Sequence, residues 1–329
     1  MDEFQEELIK YREDISKEEI AAQKNKYPKK SFAELIELLE IKGVKFTDIS
    51  KNEALLILRD LNYYYKLTAY KRNFKRDENN KFKNLEFSYL TDLASMDMQL
   101  RYILLTATLD IEHALKTLLV AEITDNLKVD GFNIVRSFFH STINSFNQLD
   151  ENIVLKNAKH KSHYQYKLYE THKIAPPAWV LMEVISFGDF LRFFEFYFKK
   201  YPTKEFNIHS LMGVLNSVKR IRNASAHNNA LLFDLSNSDI KNVSNYIKRY
   251  AEELRIGELF YKCNKIHDIL CVFYTHRNFV KGKGSRKQRI DDLKNFIMKY
   301  KKKFSYMDKD NDVLYFLKIA NLVIDKYEV

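Results

Sequence analysis

A chain of 329 residues, 46% of them apolar, has room for one large domain or two ordinary ones and material for a sizeable core. With only 7 Gly and 4 Pro it lacks the turn residues of a strand-rich fold, so long helices with few connections are expected. The net charge of +10 favours a polyanionic partner through phosphate contacts, although a lysine-rich background composition would give the same excess.

Two further exclusions follow. Cys263 and Cys271 have no CxxC spacing and no companion ligands, which predicts buried free thiols and a reducing cytoplasm. The acidic, amphipathic start lacks the zones of a signal peptide, and no run of about eighteen uncharged apolar residues would span a membrane.

In chain order, residues 1–27 read as one charged helix or an arm. Ser31 with Glu34 and Ser50 with Glu53 have the spacing of capping boxes, and Gly43 stands where the first of these helices would end. The second box opens ALLILRDLNYYYKLTAY, read as helical, and 72–87 reads as a polar loop. A long helix follows Ser88, with Leu93, Met96, Leu100, Ile103 and Leu104 at helical spacing. A shorter helix is expected within 128–148 and an irregular, histidine-rich insertion over 150–175. Pro176-Pro177 precedes one hydrophobic helix that Tyr201-Pro202 stops. Residues 208–227 form the next helix, with Leu211, Leu215, Val218 and Ile221 near one stripe. Ser236 and Asp239 are expected to open a helix to about Leu254. Residues 281–289 (KGKGSRKQR) read as a flexible basic loop between the last helices. No strand is expected. The chain is thus predicted to be an all-α multi-helix bundle, with an N-terminal region (1–87), a core (88–254) and a C-terminal extension (255–329).

The chemistry concentrates in RIRNASAHNN, 220–229. Arg222 precedes His227 by five positions, Asn223 follows the arginine, and small residues separate them. On a helix, Arg220, Asn223 and His227 share a stripe, whereas Arg222 is displaced from His227 by about 140°. Both arginines reach one phosphate only if the helix unwinds near Ala224 or if a second copy of the site faces the first. An imidazole can move protons near neutral pH and a guanidinium can stabilise a phosphorane. RNA supplies its own nucleophile, the 2′-hydroxyl, so such a group can cleave it without metal or cofactor. The bland alternative for His227 is a helix-ending cap bonded to carbonyls.

These residues also carry a resemblance. LRDLNYYYKLTAYKRNF, IEHALK (111–116), PAWVLMEVISFGDF (177–190) and RNASAHNN, in this order across about 30–250, resemble the Abi-like abortive-infection proteins of the AbiD/AbiF group, assigned to the HEPN superfamily. HEPN ribonucleases carry an arginine, a polar residue and a histidine four to six positions after the arginine, as Arg222, Asn223 and His227 do. The resemblance implies a HEPN-like helical core, with additional N- and C-terminal helices, and RNA cleavage in phage defence or toxin–antitoxin biology. Some relatives are linked to a small non-coding RNA. Residues after about 255 match no pattern.

The remaining candidates are supporting ones. Glu112 could hold Arg220 or Arg222, or merely pair with Lys116. Lys159 and Lys161, and the loop cations Lys281, Lys283, Arg286, Lys287 and Arg289, are candidate RNA contacts or a solvated charge run. His160, His163 and His172 sit among lysines, which disfavours a metal, and GKGSRKQR lacks the spacing of a phosphate loop. Tyr63, Tyr64 and Tyr65 could stack on bases, but packing is the favoured reading. The combined expectation is a cytoplasmic, homodimeric endoribonuclease toxin with RNA as substrate, a non-coding RNA as candidate regulator, and no metal, cofactor or membrane. The alternative is a non-catalytic RNA-binding module or a helical interaction protein.

Overall fold

The computed structural model describes residues 17–141, 154–235, 240–304, 307 and 311–327. Among them are fifteen α-helices and one pair of two-residue strands, so the protein is an all-α multi-helix bundle, as the composition requires. No described helix is long and apolar enough to cross a membrane. The chain divides into two compact units, Met1–Asp92 and Leu93–Val329.

The first unit holds α1 (Lys17–Lys26), α2 (Phe32–Ile41), α3 (Lys51–Asp60) and α4 (Tyr64–Ala69). Both expected capping boxes form. The Ser31 hydroxyl accepts the Glu34 N–H, and the Glu34 carboxylate accepts the Ser31 N–H at 2.6 Å; Ser50 and Glu53 repeat the exchange. Gly43 then turns the chain with φ +88°, where a Cβ would meet the Phe82 backbone at 3.0 Å. That turn delivers Val44–Lys45 (β1) to a parallel pairing with Leu85–Glu86 (β2). No strand was expected here, because two residues are too short to show a period-two pattern.

The helix expected to run on through the tyrosines is interrupted. The Asn62 N–H reaches back to the Ile57 carbonyl at 2.9 Å, and Tyr63 is extended, so the backbone leaves α3 before α4 begins. As a result Tyr63 and Tyr65 are 62% and 79% exposed and Tyr64 is half-buried. The packing reading of these rings is therefore corrected.

The second unit is organised on α5 (Phe87–Asp125), whose 39 residues extend about 58 Å. Met96, Leu100, Leu104, Ala107, Ile111, Leu115 and Leu119 form one fully buried stripe along it. Each large apolar side chain so buried contributes roughly 1.5–3 kcal/mol. After it come α6 (Asn133–Ser141), α7 (Tyr166–His172), α8 (Ala178–Val184), α9 (Phe187–Lys200) and α10 (Ile208–Ala226). The chain continues with α11 (Asn245–Glu253), α12 (Glu258–Tyr261), α13 (Asn264–Phe279), α14 (Lys283–Lys303) and α15 (Asp312–Tyr327). α10 packs on α9 and α13, and α14 packs on α15. The lone tryptophan, Trp179, lies against Gly131, where φ is +78° and a Cβ would meet the indole at 2.4 Å. Both cysteines are free and buried, as expected.

Four boundaries differ from expectation. The apolar run after Pro177 is two helices, because Ser186 starts a new cap: its hydroxyl accepts the Asp189 N–H and donates to the Asp189 carboxylate at 2.6 Å. The expected irregular insertion, where described, contains α7 and a single 3₁₀ turn at Asn157–Lys159. Ser236 and Asp239 lie outside the described residues, and 240–244 are not helical, so α11 opens at Asn245. Finally, 283–289 is the first part of α14 rather than a loop. Lys287 pairs with Asp291 at 2.6 Å, Gln288 with Asp292 at 2.8 Å and Arg289 with Asp292 at 2.9 Å, one turn along a helix.

One polar group sits at the centre of this unit. Asp97, on α5, is fully buried and ion-paired with Arg101, 2% exposed, one turn on. The same carboxylate accepts the backbone N–H groups of Leu231 and Leu232 at 2.8 and 2.7 Å. Removing it breaks a buried ion pair, which costs about 3–5 kcal/mol. Asp97→Ala is therefore expected to lower the unfolding free energy by that amount in urea titration; a loss below about 1 kcal/mol would contradict the clamp.

Candidate functional site

α10 is built as its sequence dictates. Asn207 caps its start by accepting the Ser210 N–H at 3.0 Å, and Leu211, Leu215, Val218 and Ile221 are all buried. The helix does not unwind near Ala224, for the His227 N–H still reaches the Asn223 carbonyl at 2.9 Å. Its end is a reversal in which Asn228 adopts φ +59°. The Asn229 N–H bonds the Ala224 carbonyl at 2.8 Å and the Asn228 N–H the Ser225 carbonyl at 3.2 Å, the paired bonds of a left-handed C-terminal cap. His227 is thus the capping residue, but only its backbone N–H caps. Its side chain is exposed, and its ring takes no hydrogen bond among the described residues.

The two arginines of the motif have different surroundings. Arg220 is bound to Asp268 of α13 through Nε at 2.9 Å and Nη2 at 2.7 Å, and donates to the Ser217 hydroxyl at 2.8 Å. The carboxylate raises the guanidinium's pKa further above its ordinary value. Burial pushes the Asp268 carboxyl up, but bonds from His267 and Arg220 outweigh it and hold the group below the usual range. Arg222 is half-buried and donates from Nη1 to the Asn223 side-chain oxygen at 3.3 Å, while its buried Nε has no partner among the described residues. Arg222 keeps donor capacity for an oxygen-rich ligand, and the unbroken helix leaves it about 140° around the axis from His227.

Glu112 does not hold either arginine: it pairs with Lys116 at 3.2 Å. The acid that does so for Arg220, Asp268, was missed. Its signal was a lone carboxylate directly before the apolar run ILCVF (269–273). Lys159 and Lys161 are exposed, as are Lys281, Lys283 and Lys287. Arg286 is half-buried, 5.6 Å from the Tyr327 ring. Arg289 turns into the fold instead, toward Asp110 at 3.2 Å and onto Thr106 at 2.7 Å. Among the described residues no group of three or more His, Cys, Asp or Glu side chains could hold a metal ion.

Residues 56–233 match the model of a family described as Abi-like protein, a span that includes Arg222, Asn223 and His227. No curated protein and no solved structure matches the chain.

Two outcomes follow from the local geometry. Asn228→Gly is expected to leave stability intact, whereas Asn228→Val costs roughly 1–2 kcal/mol because a β-branched residue resists positive φ; equal thermal midpoints would contradict the cap. Asp268 has a depressed pKa, so its stabilisation is present above the ordinary value of 3.8 and lost as pH falls below it. The thermal midpoint of Asp268→Asn is accordingly expected to fall less than that of the native protein below pH 3.8.

Proposed function

The chain belongs to the Abi-like protein family, and on that footing we propose that it is a metal-independent endoribonuclease toxin of anti-phage abortive infection, with a HEPN-type site. The family membership points to the defence role. The observation that supports the chemistry is the pairing of an incompletely bonded Arg222, steadied by Asn223, with an exposed His227 fixed at a helix cap.

In this reading an imidazole removes the proton of an RNA 2′-hydroxyl. The oxygen attacks the adjacent phosphorus, and the bond to the 5′-oxygen breaks as the imidazolium so formed returns its proton to the departing group. The Arg222 guanidinium stabilises the charge that builds on the phosphorane oxygens. Asn223 orients the guanidinium. Products carry a 2′,3′-cyclic phosphate and a 5′-hydroxyl. Because α10 does not unwind, Arg222 and His227 of one chain diverge, so a homodimer supplies the facing copy. Arg220, tied to Asp268, supports the helix rather than the phosphate. An unregulated cytoplasmic ribonuclease would poison its host, so a second component restrains it; a non-coding RNA suits a chain of net charge +10.

Labelled single-stranded RNA incubated in EDTA tests this. The native protein is expected to release cyclic-phosphate ends, and His227→Ala to bind RNA but cleave at least a hundredfold more slowly. Equal degradation by both proteins would refute the nuclease reading and leave RNA binding alone.

A further inference from the structure

The second unit also contains a cleft of about 560 Å³, a size typical of small-ligand sites. Leu211, at the start of α10, lines it, sixteen residues before His227 and so roughly 24 Å away along the helix. The cleft is therefore separate from the motif.

Its walls are aromatic. Tyr246 and Tyr274 stack at 5.8 Å, and Phe206 meets Phe279 edge-on at 6.0 Å; all four line the cleft. Such rings accept a flat heterocycle irrespective of its sequence identity. The Tyr274 hydroxyl has no hydrogen bond among the described residues, and burial pushes its pKa up to about 12, so it remains a donor. Asp110 also lines the cleft. Its Oδ2 faces His276 at 3.2 Å and Arg289 at 3.2 Å, while its other oxygen is without a described hydrogen bond and can accept an amino or hydroxyl proton.

The remaining polar lining has the character of an anion site. Lys281 and the Ser285 hydroxyl lie where the chain enters α14, whose N-terminal partial charge adds to the ammonium. The Lys281 ammonium donates to the Asn278 carbonyl at 3.3 Å, and Glu205 also lines the cleft.

We propose that this cleft binds a nucleoside monophosphate unit, base against the tyrosine and phenylalanine rings and phosphate at Lys281 and Ser285. The unit is either a free nucleotide or one residue of an RNA strand. The proposal does not depend on cleavage, so it is tested in the His227→Ala protein. Equilibrium dialysis with AMP, adenosine and a six-nucleotide RNA separates the sources: AMP binding identifies a free nucleotide site, and hexamer binding without AMP binding, weakened by Lys281→Ala, identifies a strand site in the cleft rather than at the α10 motif. In either case Lys281→Ala and Ser285→Asp are expected to weaken the phosphate-bearing probe at least tenfold, leave adenosine binding unchanged and keep the native thermal midpoint. Absence of both AMP and hexamer binding at millimolar concentration would overturn the proposal, as would undiminished binding by the two variants.

Discussion

The Asp97 carboxylate is the constraint on which the rest of the second unit depends. A buried carboxylate is costly unless several donors meet it. Here Arg101 supplies the opposite charge, and the N–H groups of Leu231 and Leu232 supply two further bonds. Those two amides lie four and five residues beyond His227. α10 ends in a left-handed cap at Asn228, the chain reverses, and within one short stretch it is fastened to the central helix. The position of the histidine is thereby set from both sides: by the helix that precedes it and by the clamp that follows it. A buried ion pair is weak evidence of net stability, but it is an effective way of fixing one backbone register.

A second division of labour runs along α10 itself. Arg220 is spent on the fold, joined by two bonds to Asp268 on α13. Arg222 is only partly bonded, and His227 is open. Rigid elements hold side chains more closely than loops do, and Arg222 and His227 stand at the end of a well-packed helix. The cost of that rigidity is divergence: a straight helix cannot aim both groups at one phosphodiester. In the proposed homodimer a second copy would supply the facing group without bending the helix.

Most of the helices could be read from the sequence because their signals are local. Ser31–Glu34 and Ser50–Glu53 announce their own caps, and Leu93 through Leu104 announce the stripe of α5. The errors came where a short polar signal was embedded in a stronger pattern. Ser186 and Asp189 sit inside an apolar run that hides the new cap between α8 and α9. In 283–289 the basic residues suggested a solvated loop, although carboxylates at 291 and 292 were placed one turn on to neutralise them. In the candidate site the motif itself was legible, but its supports were not. Asp97 and Arg101 have helical spacing within the long helix, as Glu112 and Lys116 do; only the fold shows which carboxylate meets the 231–232 backbone. Asp268 finds Arg220 across 48 residues, a relation no local pattern encodes.

The central claim is that an arginine and a histidine displaced around one straight helix act on the same phosphodiester because two chains contribute. Mixing Arg222→Ala and His227→Ala proteins under conditions of subunit exchange tests this most directly. Each variant alone should be inactive on RNA, and the mixture should recover a substantial fraction of native cleavage, since one composite site then holds an intact guanidinium and an intact imidazole. A mixture as inactive as its components, or single variants as active as the native protein, would contradict the account.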